Sequence, residues 1–176
     1  MIFTSEIVER YLKFSNQSNA IVLKYYQSAE IEPDAFKNCQ QKRIRSLYLG
    51  NDKENTDHKI TFAEKHLSMF DHLKEHLEEL DLSFKWNCSF NFLKKLKHLK
   101  KLTLSENDFS KGKPVFRAAN NQLTHLDLSR CKLKISDKSI FNDLKSLKHL
   151  NLSGVTLHNN VLPELFSELK QLDTLT

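Results

Sequence analysis

Leucine falls into a fixed rhythm along most of this 176-residue chain. Three stretches repeat one apolar frame: Leu99-x-x-Leu102-x-Leu104-x-x-Asn107-x-Phe109, Leu123-x-x-Leu126-x-Leu128-x-x-Cys131-x-Leu133 and Leu147-x-x-Leu150-x-Leu152-x-x-Val155-x-Leu157. Ile44-x-x-Leu47-x-Leu49 and Leu77-x-x-Leu80-x-Leu82 carry the first half of the frame and depart from it at Asp52 and Lys85, and Leu172-x-x-Leu175 begins another copy. The first apolar positions, 44, 77, 99, 123, 147 and 172, lie 33, 22, 24, 24 and 25 residues apart.

Alternation in Leu-x-Leu makes a short strand that points two side chains one way and the residue between them the other. Asn107, and less strongly Cys131, can then turn the backbone and donate to buried carbonyls of the neighbouring copy. One such unit cannot bury its own leucines, so the copies must stack. A period of about 20–29 residues with this frame reads as an α/β leucine-rich-repeat solenoid, a horseshoe with a concave parallel sheet.

The return segments are predicted to be helical and convex. Phe62, Leu67, Phe70, Leu73 and Leu77 recur at near-helical spacing, as do Leu162, Leu165, Phe166 and Leu169, with Pro163 near the start of the latter. Phe90, Leu93 and Leu96 make a shorter version, and Ile140, Phe141 and Leu144 another. The beginning differs: Thr4 is placed to cap a helix over 4–14, Phe3 to pack on Val8, and Ile7, Tyr11 and Phe14 to line one face. That helix is expected to cover the open end of the stack. Ile21 to Ile31 reads as a degenerate first strand, with Lys24 where the frame requires leucine. The expected organisation is a helical cap and degenerate repeat over 1–40, then about five repeats over 41–176, the last truncated. The chain is accordingly expected to be part of a longer one.

Charge alters this picture little. The net charge is +5, from 27 basic and 22 acidic residues spread along the sequence, which favours solubility over a nucleic-acid arm. The densest basic run, Lys94 to Lys101, is interrupted by Leu96 and Leu99 and reads as a solvated face; a phosphate-binding patch is the alternative. Three cysteines without a CxxC pair suit neither a disulfide framework nor a zinc site. With no apolar run near the ~20 residues of a membrane span and no leader-like start, the chain is expected in cytoplasm or nucleus.

Outward residues of successive strands form columns about 4.8 Å apart. One runs Ser46, Glu79, Lys101, His125, His149; the next Tyr48, Asp81, Thr103, Asp127, Asn151; a third Gly50, Ser83, Ser105, Ser129, Ser153. Tyr48, Glu79, Asp81, Lys101, Thr103, His125, Asp127, His149 and Asn151 are the candidate concave binding face, a polar surface suited to a protein partner. His125 and His149 beside Asp127 lack the spacing of a metal site and read as solvated. Serines near histidines without a glycine-rich elbow do not make a nucleophile. No enzyme and no cofactor is expected. Phe84 and Trp86, after the second strand, are an alternative anchor for a partner, with local packing the simpler account. Cys131 reads as a buried repeat residue.

Two further segments carry a resemblance. Phe3-Thr4-Ser5-Glu6-Ile7-Val8-Glu9-Arg10-Tyr11-Leu12 and Ala29-Glu30-Ile31-Glu32-Pro33-Asp34-Ala35-Phe36, leading into Leu47-Tyr48-Leu49, resemble the Zyg-eleven/ZER family of leucine-rich-repeat proteins. The resemblance implies a substrate-recognition part of a cullin-two ubiquitin ligase, without the elongin-binding helix and armadillo-like repeats that flank it in that family. The function expected is thus a non-catalytic protein-interaction scaffold, monomeric apart from its partners, with no membrane contact. A stand-alone regulatory adaptor that touches nucleic acid through its basic run is the alternative.

Overall fold

A computed structural model describes residues 2–14, 19–23, 30–50, 64–83, 90–110, 122–135, 140–157 and 162–176. Its elements in chain order are β1 (Ile2–Phe3), α1 (Ser5–Phe14), β2 (Ala20–Val22), β3 (Glu30–Ile31), β4 (Ser46–Tyr48), β5 (Glu79–Asp81), β6 (Lys101–Thr103), β7 (His125–Asp127), β8 (Lys134–Ile135), β9 (His149–Asn151), β10 (Thr156–Leu157), α2 (Leu162–Leu165) and β11 (Thr174–Leu175). Among the described residues, seven strands form one parallel sheet in the order β2-β4-β5-β6-β7-β9-β11. Each repeat returns its chain to the next position beside its own start, so successive strands pair without crossing.

The register is the sequence frame made spatial. Leu47, Leu80, Leu102, Leu126 and Leu150 pair in a single row and point into the core, none more than 2% exposed. Leu49, Leu82, Leu104, Leu128 and Leu152 stack beside them, as do Ile44, Leu77, Leu99, Leu123 and Leu147, all buried. Removing such a side chain from water contributes about 1.5–3 kcal/mol, and the rows are continuous because every rung adds to both neighbours. The backbone repeats one bond beyond each strand: the amides of Leu49, Leu82, Leu104 and Leu128 donate to the carbonyls of Asp81, Thr103, Asp127 and Asn151, each at 2.9 Å.

Beyond β6, β7 and β9 the chain turns through a residue with positive φ. Glu106 (61°), Arg130 (55°) and Gly154 (75°) occupy the same repeat position. The buried Asn107 follows and donates its amide to Leu82 O at 2.8 Å and Leu104 O at 2.7 Å. In the next rung the Cys131 thiol donates to Leu104 O at 3.1 Å, the weaker version of the same bond. Burial pushes that thiol up to about 11, so it remains protonated and packs as a core residue.

On the convex side the expected helices take a tighter form. Glu64–His72 and Phe90–Lys95 are 3₁₀ helices, and the stretch holding Ile140, Phe141 and Leu144 is turns. Among the described residues of that side, Leu162–Leu165 alone is α-helical. In the 22-residue unit that holds Phe90–Lys95 the return is short, and 3₁₀ structure covers about 2.0 Å per residue against 1.5 Å for an α-helix. The apolar spacing still serves its purpose: Phe70 stacks on Phe92 at 4.2 Å, and Phe90 meets Phe109 at 5.1 Å.

At the N-terminus Thr4 accepts the Ile7 amide at 3.4 Å, and Phe3 and Val8 are both buried. The helix seats through Val8, whereas Ile7, placed in the sequence reading on the covered face, is exposed; the side chains of Tyr11 and Phe14 lie outside the described residues. Asn38 donates to Glu9 at 3.2 Å, tying α1 to the 3₁₀ helix Lys37–Lys42. The degenerate strand is β2, with Ile21 opposite Leu47. Ile21 is therefore the second apolar position of the frame and Leu23 the third, both buried. The misfit at Lys24 came from counting Ile21 as the first. Ile2–Phe3 pairs with Glu30–Ile31 in a separate two-stranded parallel sheet, as Lys134–Ile135 does with Thr156–Leu157.

Candidate functional site

Outward side chains of the large sheet stand in the expected columns. The register pairs Ser46, Glu79, Lys101, His125, His149 and Thr174 in one row, and Tyr48, Asp81, Thr103, Asp127 and Asn151 in the next. The sheet thus brings Tyr48, Glu79, Asp81, Lys101, Thr103, His125, Asp127, His149 and Asn151 onto one face. Phe84 and Trp86 lie outside the described residues.

The second column does more than line a surface. Asp127 Oδ1 accepts the Ser129 amide at 2.8 Å, Asn151 Oδ1 the Ser153 amide at 3.1 Å, and Asp81 Oδ1 the Ser83 amide at 2.9 Å together with the Ser83 hydroxyl. A short polar side chain bonding the backbone two residues on fixes the turn out of the strand. The recurring Asp/Asn-Leu-Ser triplet was the sequence signal for this role. Each of these residues therefore presents only the rest of its polar surface outward.

Across the first column the chemistry changes sign. At its start Ser46 donates to Glu79 at 3.5 Å. Desolvation first, then a hydrogen bond to Glu79, raises the Tyr48 phenol above its ordinary value. Further along, the rings of His125 and His149 lie 4.2 Å apart, inclined by 31°. Thr124 Oγ1 bonds His125 Nδ1 at 2.9 Å, and Thr174 Oγ1 bonds His149 Nδ1 at 3.2 Å. Desolvation first, then the positive charge of His149 and Lys101, lowers His125 below the usual histidine value. Glu79, Lys101, Thr103, His125, Asp127 and His149 line an open depression of about 260 Å³ that also reaches Asn151, Thr174 and Thr176. Thr124 and Thr174 were absent from the sequence reading because they act by fixing rings rather than by facing a partner.

The basic run is dispersed by the fold. Lys95 pairs with Asp71 at 2.7 Å on the convex side, Lys100 with Glu78 at 2.9 Å at the strand-entry edge, and Lys101 stands on the sheet face. Leu96 and Leu99 are buried between them. Among the described residues, no group of three or more His, Cys, Asp or Glu is placed to hold a metal ion.

Residues 122–144 match the Leucine Rich Repeat family, and they span β7 and the turn closed by Cys131. The fold is a leucine-rich-repeat solenoid. Its sheet lines the concave side and its 3₁₀ segments the convex one. The solenoid is similar to Toll-like receptor 4 of Bos taurus, with 37% identity over 106 residues; the match takes in 56% of this chain and 12% of the receptor. Among solved structures, internalin C2 of Listeria monocytogenes shares the fold at a TM-score of 0.52 and 24% identity, covering 88% of this chain and 62% of that one. A chain of the mouse RP105/MD-1 complex does so at a TM-score of 0.51 and 20% identity, covering 99% and 36%. The chain thus spans a small part of the receptor it matches. Among the described residues, no helix is long and apolar enough to cross a membrane.

Proposed function

We propose that this solenoid is a protein-recognition scaffold that receives its partner along the concave face. The observation that carries the reading is the open depression over β6, β7 and β9, whose lining includes the outward side chains of Lys101, Thr103, His125 and His149. The inward leucines hold the coil together and the second column holds the turns, so the first outward column is free to vary in chemistry without loss of fold. The dispersal of Lys95, Lys100 and Lys101 over three surfaces favours a protein partner over a nucleic-acid backbone. Affinity capture from cells with the full chain tests this: Thr103→Arg with Asn151→Arg should deplete the partners held by the unmodified chain, while Lys145→Glu on the far side should keep them. Equal capture by both variants refutes the concave reading.

The narrower proposal, the recognition part of a cullin-RING ubiquitin ligase inside the cell, rests on the resemblance of the Phe3–Leu12 and Ala29–Phe36 segments. Cys39 and Cys131, buried thiols without a disulfide, support a reducing compartment. The likeness to Toll-like receptor 4 favours a second reading, a receptor-type recognition module. Co-purification of elongins and cullin-two supports the first; recovery of the chain in membrane or secreted fractions without them supports the second.

A further inference from the structure

Along the first column the side-chain chemistry changes from strand to strand, from Ser46 and Glu79 to Lys101, His125 and His149. Glu79 is already engaged by Ser46 and Tyr48, and Asp127 holds the Ser129 amide through Oδ1. Past Glu79 come Lys101, exposed on β6, then the two adjacent, mutually tilted imidazoles. Both rings are held through Nδ1 by threonine hydroxyls, so their orientation is set in advance and Nε2 of each is left for a partner. Preset side chains lose less entropy on binding.

Resting on the recognition reading above, we propose that the depression takes an acidic peptide segment of a partner protein, extended across the strands, with its carboxylates on Lys101, His125 and His149. The groups that face His125 are Glu79 and Lys101 from β5 and β6, Asp127 on its own strand, and Lys148 and His149 from the β9 side. With both imidazoles neutral, the two carboxylates balance the two lysines. A proton on His125 adds positive charge beside Lys101 and Lys148 and 4.2 Å from the His149 ring, and an anion lying across the rings offsets it. Peptide carboxylates supply that anion, so binding and proton uptake at His125 are coupled: a bound carboxylate raises the His125 value that burial and neighbours have lowered. Affinity therefore rises as pH falls through the bound-state value and levels off below the free-state value.

Titration of the full chain with blocked hexaglutamate, followed through the His125 and His149 imidazole resonances, tests this at about pH 5.5 and about pH 7.5. Both rings should shift, with binding about tenfold tighter at the lower pH, the weight of one unit of imidazole shift. His125→Gln with His149→Gln should remove the pH dependence while leaving the circular dichroism unchanged, and Lys101→Glu should abolish binding at both pH values. Blocked hexalysine should leave both rings unmoved. Unmoved imidazoles under hexaglutamate overturn the acidic-segment proposal, as does a single-stranded oligonucleotide that shifts them when the peptide does not. Neither result touches the recognition reading, which stands or falls on capture by the Thr103 and Asn151 variant.

Discussion

Repeats between residues 99 and 157 and the segment between 2 and 50 share one sheet but are closed by different means. In the first region every rung keeps the apolar frame, and in two of the three the turn after the strand is held by a side chain, Asn107 or Cys131, reaching buried carbonyls, with Val155 in the same place in the third. In the second, β2 and β4 keep the two inward positions, Ile21 with Leu23 and Leu47 with Leu49. The rest of the closure comes from α1, from the pairing of Ile2–Phe3 with Glu30–Ile31, and from Ile31, Ala35 and Phe36 in the core. The inward pair is thus what a rung requires, and the turn residue is one of several ways to finish it.

The largest test of that statement lies in the inward pair itself. Leu126→Ala and Ile21→Ala should each destabilise the chain by about 3 kcal/mol, the usual cost of a buried cavity, measured by urea unfolding. If Leu126→Ala has its full effect and Ile21→Ala has almost none, the N-terminal rung is not part of the cooperative structure and the comparison fails. Next, Asn107→Ala should cost about 2 kcal/mol, because it strips the side-chain donor from Leu82 O and Leu104 O in a dry site. Cys131→Ala should cost less, since Asn107 still serves Leu104 O.

A smaller effect sharpens the role of the second column. Asp127→Ala should cost about 1 kcal/mol through loss of the bond to the Ser129 amide, whereas Asp127→Asn should be nearly neutral because Asn151 makes the same bond in the following rung. Equal costs for the two variants would show that charge, and not turn geometry, selects the residue. The smallest effect is at the strand-entry edge, where the Lys100 ammonium beside Glu78 holds its carboxyl below the ordinary value. A carboxyl lowered in the folded state adds stability above its unfolded value and loses it as pH falls through the folded one. Acidification below about pH 4.5 should therefore lower the unfolding midpoint slightly more in the parent chain than in Lys100→Ala, by under about 1 kcal/mol for so exposed a pair.

How much of this was legible depended on what sets each feature. The leucine rows, the amide of Asn107 and the thiol of Cys131 followed from the frame, because burial and backbone bonding dictate residue type at those positions. The columns were legible for the same reason: once the inward residues are fixed, strand alternation places Lys101, His125 and His149 side by side. The register of β2 was not, since a strand of three residues with no leucine at its first frame position can be counted from Ile21 in two ways. The 3₁₀ form of Phe90–Lys95 was missed because apolar spacing reports a covered face and not the rise per residue. The turn bonds of Asp81, Asp127 and Asn151 were missed because outward position alone reads as binding surface.

The concave-face reading itself is tested most directly by a photoreactive residue placed at Thr103, with a second at Lys145 on the far side, each in the full chain within cells. The account predicts discrete protein adducts from position 103 that are absent from position 145. Adducts from position 145 alone, or the same proteins from both, would contradict it.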